Sequence, residues 1–191
     1  GYSRQAYAML RKIGEVVEEE CDRDKLLSMI PEFDVLIVRL GHKIDADVFE
    51  AGVKLKVVVT ATTGLNHIDL QEASRRKIDV LCLKDERQFL GTLSATAELT
   101  WTLLLTLMRK VPQATAHVSQ GGWDRNLFIG NQLKNKTLGI VGLGRLGSIV
   151  AEYGLAFKMK VVATDPYVQE MPAGVDKVTL LELLKTADIV T

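Results

Sequence analysis

The strongest constraint in this chain of 191 residues lies at positions 137–147, T-L-G-I-V-G-L-G-R-L-G. A short apolar run closes on Gly142, Gly144 and Gly147 in G-x-G-x-x-G spacing, and a helical pattern follows at 148–158. A second apolar run, 161–164, ends on Asp165, eighteen positions beyond the last glycine. A strand that turns abruptly into a helix and returns as a parallel strand is a crossover unit, and each glycine has a physical task in it. Gly142 permits the sharp turn out of the strand. Gly144 leaves the backbone open to close approach, and Gly147 lets the helix press against the strand. The first amides of the helix, at Arg145 and Leu146, have no partner within it and carry the positive end of its dipole, so they suit an anion. Asp165 can accept hydrogen bonds from two vicinal hydroxyls. Together these features predict a dinucleotide site, with pyrophosphate at the turn and ribose at Asp165. The run Asp165-Pro166-Tyr167 favours NAD over NADP, because a carboxylate repels a 2′-phosphate and no Arg or Lys follows directly.

The remaining sequence alternates strand-like and helix-like segments. Residues 6–13 read as a helix and 15–18 as a strand. Asp22 caps a helix running to Ile30, ahead of Pro31. The runs 35–38 and 56–60 are β-branched and continuous, the pattern of strands buried on both faces. Helices are predicted at 45–51 and 70–77, and a strand at 78–83. Residues 93–110 form a long helix with little polar face, predicted to be buried on most sides, either between domains or subunits or as a core helix inside one domain. A loop opens at Gly121-Gly122-Trp123 and runs to Leu133. The tail gives a helix at 179–186 and a strand from Asp188. Such alternation means parallel sheets, and the buried runs on either side of the long helix predict two α/β lobes.

Lys plus Arg equals Asp plus Glu, 24 each, which gives no support for a nucleic-acid or membrane-surface partner. The longest apolar stretch is broken by Thr102 and Thr106 and is too short to span a bilayer. The two cysteines, Cys21 and Cys82, form no metal cluster and fit a reduced, cytoplasmic setting, with Cys82 read as a small core residue. His42 and His117 have no partner pattern and read as surface residues. No metal site is predicted.

The run 133–147 through Asp165-Pro166-Tyr167 closely resembles the D-2-hydroxyacid dehydrogenase family, nearest to its 3-phosphoglycerate branch. The upstream residues resemble it too, in collinear order over essentially the whole chain. These are V-L-I-V-R at 35–39, T-G-L-N-H-I-D at 63–69, A-E-L-T at 97–100, P-Q-A-T-A at 112–116 and G-W-D-R at 122–125. The resemblance implies a flavodoxin-like substrate domain at 1–92. It further implies an interdomain helix and the first half of a Rossmann NAD-binding domain at 93–191. It implies that Thr63, Gly142, Gly144, Arg145, Leu146, Gly147 and Asp165 bind NAD. Backbone amides at Gly64 and Leu65, with the Arg39 guanidinium, would hold the carboxylate of a small 2-hydroxy or 2-oxo acid.

The implied reaction is NAD-dependent oxidation of a D-2-hydroxy acid resembling 3-phosphoglycerate, by a homodimer paired through the nucleotide domain. The alternative is an NAD-binding co-repressor module without catalysis. The family loop often carries Asp-Asn where Asn66-His67 stand here, and Thr92 occupies the place of a family Asn. The family's proton-transferring His, its Glu and its carboxylate-binding Arg have no counterpart in these residues. No catalytic residue is therefore assigned within the chain. The chain is expected to be an incomplete copy lacking the first strand, and inactive by itself; His67 is not expected to be the base.

Overall fold

The computed structural model describes residues 3–191. The chain divides into two compact units, one up to Arg87 and one from Gln88. Each carries its own parallel sheet and its own apolar cluster.

In the first unit, α1 (Arg4–Leu10) is capped by Ser3, whose hydroxyl accepts from the Ala6 amide at 3.2 Å. The capping of α2 (Arg23–Met29) is as the sequence predicts: Asp22 accepts from the Lys25 amide, and Pro31 follows in a 3₁₀ turn. Three strands, β1 (Val35–Val38), β2 (Val57–Thr60) and β3 (Asp79–Leu81), pair in parallel in the order β1-β2-β3. Helices α3 (Ala46–Ala51) and α4 (Leu70–Arg75) form the crossovers. Lys77 adopts a positive φ of 60° just after α4 and turns the chain into β3. Phe49, Ile44, Val48, Ile30 and Val58 pack at the centre, each almost fully buried.

The second unit follows α5 (Arg87–Gly91), which straddles the division. Helix α6 (Ala95–Met108) is separated from α7 (Val111–Ser119) by Lys110 at φ 53°, and Pro112 occupies the first turn of α7, where its missing N–H costs nothing. Then come β4 (Thr137–Val141), α8 (Arg145–Ala156), β5 (Lys160–Thr164), β6 (Val175–Lys177), α9 (Leu180–Thr186) and β7 (Ile189–Val190). The sheet order is β6-β5-β4-β7, all parallel. From β4 the chain first adds strands on one side and then, at β7, on the other. The crevice outside the carboxyl ends of β4 and β7 is therefore a topological switch point, where open parallel sheets take ligands.

Several expectations are corrected. Residues 15–18 form no strand, because no strand among the described residues pairs with them. β1 is an edge strand rather than one buried on both faces, and Val35 is 46% exposed. Among the described residues, helix α6 is not enclosed as a core helix of one domain; one face packs inward and the opposite face is open, as burial between domains or subunits would require. Ala97 and Trp101 face the core, but Leu99, Leu103 and Leu107 are 57%, 61% and 76% exposed, because no element among the described residues covers their face. Helix α7 and the three-residue β6 are not among the expected elements. None of the helices of the described residues is long and apolar enough to cross a membrane.

Candidate functional site

Two groups of residues stand at the carboxyl ends of the two sheets. In the second unit the geometry starts at β4, whose central Leu138 and Ile140 are buried and fix the strand in the sheet. Gly142 follows at φ 96°, a conformation that a side chain strains, and its amide donates to the Thr164 carbonyl at 2.9 Å. A Cβ on Gly144 would meet nothing within 4 Å, so the backbone there faces open space. A Cβ on Gly147 would lie 2.1 Å from the Gly142 carbonyl oxygen and 3.3 Å from Ile140 Cγ2, so only glycine lets α8 begin this close to the strand. Gly144 is the N-cap of α8 and offers no side-chain acceptor. Ser148 donates to the Gly144 carbonyl at 2.9 Å, while the amides of Arg145, Leu146 and Gly147 have no acceptor among the described residues. A helix of 12 residues therefore presents unpaired donors and its positive dipole end at the turn.

Asp165, just past β5, is built into this turn. One carboxylate oxygen accepts from the Leu143 amide at 2.8 Å, and the other from the amides of Tyr167 at 2.7 Å and Val168 at 3.0 Å. The carboxyl is held below its ordinary pKa, first by the Tyr167 amide and then by those of Leu143 and Val168 and the charge of Lys177, against the opposing effect of desolvation. Each carboxylate oxygen can accept more than one bond, so the group still has capacity for ribose hydroxyls while it fixes the loop. The Arg145 side chain points elsewhere. Its guanidinium donates to the carbonyls of Leu90 at 3.0 Å and Leu93 at 2.8 Å, where α5 ends and α6 begins. Sequence reasoning gave no signal for this tie, because carbonyl acceptors carry no residue signature.

In the first unit, Arg39 leaves the end of β1 exposed and, among the described residues, without an ion-pair partner. The register aligns Val38 with Thr60, so the loop after β2 stands beside it. Thr63 and Gly64 are exposed and Leu65 is half-buried. The amides of Gly64 and Leu65 have no acceptor among the described residues. Thr62 Oγ1 donates to the Gly64 carbonyl at 2.7 Å and lies 3.0 Å from Thr60 Oγ1, and Thr60 Oγ1 lies 3.4 Å from His67 Nε2. Thr60 is the one buried polar side chain among the described residues. This network was not anticipated; only the proximity of His67 to the loop was visible in sequence.

Two histidine readings are corrected. His42 is half-buried, with Nε2 3.9 Å from Cys21 Sγ. His117 is also half-buried; its ring packs beneath Gly122, tilts against Phe128 at 5.2 Å between centroids, and keeps a buried Nε2 without a partner. Cys82 is half-buried rather than part of the core. Thr92 spends its hydroxyl on the Phe89 carbonyl at 2.7 Å. No group of His, Cys, Asp and Glu that could hold a metal occurs among the described residues.

Residues 101–191 match the family profile described as D-isomer specific 2-hydroxyacid dehydrogenase, NAD binding domain. The chain is 38% identical over 177 residues to the hydroxypyruvate reductase of Thermotoga maritima, covering 93% of this chain and 56% of that protein. It is 40% identical over 191 residues to the D-3-phosphoglycerate dehydrogenase of Methanocaldococcus jannaschii, covering 97% of this chain and 36% of that protein. The structure of the TT0316 protein from Thermus thermophilus matches with a TM-score of 0.85 at 34% identity, covering 97% of this chain and 60% of that one. The chain thus spans between about a third and somewhat over half of these curated relatives.

Proposed function

We propose that this chain is a member of the D-isomer specific 2-hydroxyacid dehydrogenase family and serves an enzyme that oxidises a small D-2-hydroxy acid, of the 3-phosphoglycerate kind, with NAD. The observation that carries the reading is the turn at Gly142–Gly147. Three unpaired amides at the start of α8 stand behind a glycine with open space before it, and a carboxylate fastened to the same loop stands at the next strand end.

In this reading the amides of Arg145, Leu146 and Gly147 hold the pyrophosphate, with Gly142 and Gly144 giving it access. Asp165 accepts the adenosine ribose hydroxyls and disfavours a 2′-phosphate. Thr63, exposed on the loop after β2, is assigned to the cofactor by the family resemblance alone. When bound, NAD supplies the hydride acceptor. The amides of Gly64 and Leu65 receive the acid's carboxylate, and Arg39, whose planar fork matches a carboxylate or phosphate, reaches its anionic end. Residues 1–92 are the substrate domain and 93–191 the interdomain helix and nucleotide half. No residue of the chain is assigned the proton transfer. The exposed Leu99, Leu103 and Leu107 face of α6 pairs with a second copy, because an apolar stripe of that length is unfavourable in water. The free cysteines Cys21 and Cys82 fit a reducing cytoplasm.

Calorimetric titration with NAD and NADP tests the cofactor assignment. NAD should bind, NADP should bind more weakly, and Asp165→Ala should narrow the difference. Equal affinities in the unaltered protein would remove Asp165 from its role.

A further inference from the structure

The loop after β2 contains a chain of hydrogen bonds whose direction can be deduced. A threonine hydroxyl has one proton to give. Thr62 commits its proton to the Gly64 carbonyl, which can only accept. Between Thr60 Oγ1 and Thr62 Oγ1 the donor must then be Thr60. With its proton spent, Thr60 Oγ1 accepts from His67, so Nε2 of His67 carries a hydrogen. The chain runs one way, from His67 to Thr60 to Thr62 to the carbonyl of Gly64. Its middle member is 1% exposed, where an unpaired hydroxyl would be costly.

The terminus of this chain decides where an amide points. In a trans peptide the carbonyl and the following N–H point in opposite directions, and no cis peptide occurs among the described residues. Drawing the Gly64 carbonyl toward Thr62 therefore turns the Leu65 N–H away from it. That N–H has no acceptor among the described residues. Both ends of the loop are fixed. Thr60 is held in β2, the His67 carbonyl accepts from the Ile44 amide at 2.7 Å, and the Asp69 amide donates to the Ile44 carbonyl at 2.8 Å. Asp69 also caps α4 through the amides of Gln71 and Glu72. Between these anchors, the hydroxyl chain is what orients the Gly64–Leu65 peptide.

We propose that His67, Thr60 and Thr62 are positioning residues that aim the Leu65 N–H at the carboxylate of the acid substrate. His67 acts as the fixed first donor and not as a base. This rests on the reading that the Gly64–Leu65 amides bind that carboxylate.

The test uses the whole enzyme that this chain serves, with 3-phosphoglycerate and NAD in the oxidative direction and hydroxypyruvate and NADH in the reductive direction as probes. Thr62→Val and His67→Leu should raise KM for the acid about tenfold, the equivalent of one hydrogen bond, with kcat and NAD affinity held. Thr62→Ser and His67→Gln, which keep a donor in place, should stay within about twofold of the unaltered KM. Thr62→Val combined with His67→Leu should cost no more than either change alone, because both break one chain. Independently of turnover, adding the acid should move the Leu65 amide proton downfield in the NMR spectrum of the unaltered protein and of Thr62→Ser, but less in Thr62→Val. If Thr62→Val leaves KM and the Leu65 shift unchanged while the unaltered protein responds, the positioning role is overturned and the carboxylate reading stands. If His67→Gln lowers kcat as severely as His67→Leu, His67 is a base and the proposal fails. If the unaltered protein gives no Leu65 response to either acid, the carboxylate reading and the positioning role fall together.

Discussion

Gly147 offers the sharpest structural test of the turn, because its reason for being glycine is a single close approach. An alanine there would place Cβ 2.1 Å from the Gly142 carbonyl oxygen, where real Cβ contacts essentially never fall under 3.0 Å, so about 0.9 Å of separation must be found. The opposing atom is backbone, and Gly142 is held by its amide bond to the Thr164 carbonyl, so it cannot swing aside as a side-chain end would. Relief requires the start of α8 to lift from β4, away from the packing of Val150 and Ala151 in the same cluster. Overpacking of this kind costs up to about 3 kcal/mol. Replacing a helical glycine by alanine returns at most about 1 kcal/mol. The net loss of about 2 kcal/mol corresponds to a melting temperature lower by about 4–8 °C for a chain of this size. Gly144→Ala is the control, since its Cβ meets nothing within 4 Å and its φ of −74° is ordinary. Its cost is that of a poorer N-cap, about 0.5–1 kcal/mol. Differential scanning calorimetry of the two variants decides the matter. A Gly147→Ala protein that melts with or above the unaltered one would refute the close-approach argument, whatever its affinity for NAD.

Three further outcomes are expected. Asp165 should titrate below its ordinary 3.8 in carboxyl-detected NMR; its contribution to stability is present above that pH and is lost as the pH falls through the folded-state value, so a midpoint at or above 3.8 would contradict the three-amide geometry. Trp101, 5% exposed and stacked on Phe157 at 4.8 Å, should cost about 3–5 kcal/mol as alanine in a thermal melt. Trp101→Phe should cost less than the lost volume implies, since the indole N–H is buried without a partner. Leu103→Lys together with Leu107→Lys should yield a monomer by light scattering from a protein that otherwise pairs, and an unaltered protein that is already monomeric at high concentration would end the proposal of a second copy on that face.

What could be read from the chain alone, and what could not, separates along a physical line. The crossover from β4 through α8 to β5 was legible because its signals are local: strand run, glycine spacing and terminal acid all lie within 29 residues. The caps at Asp22 and the turn at Pro31 were legible for the same reason. The burial of α6 stayed open between a core helix and a helix covered between domains or subunits, because the identity of Leu99, Leu103 and Leu107 says that they avoid water but not what covers them. The strand at 15–18 failed because a strand needs a neighbour, and no local pattern can report one.

The two carboxyl-edge sites illustrate one principle at different ranges. In both, unpaired backbone amides are presented outward, and a polar side chain fixes the peptide that carries them or adjoins them. In the second unit that side chain is Asp165, gripping the Leu143 amide from across 22 residues. In the first it is Thr62, gripping the Gly64 carbonyl from two residues away. An amide donor binds an anion well only if its direction is set before the anion arrives, since otherwise the ordering cost falls on binding. Gly64 and Gly144 leave the backbone free of obstruction but also free to move. The hydroxyl chain from His67 and the carboxylate of Asp165 remove that freedom while leaving the approach open. Loss of either anchor should therefore weaken anion binding even where every amide that touches the ligand remains in the sequence.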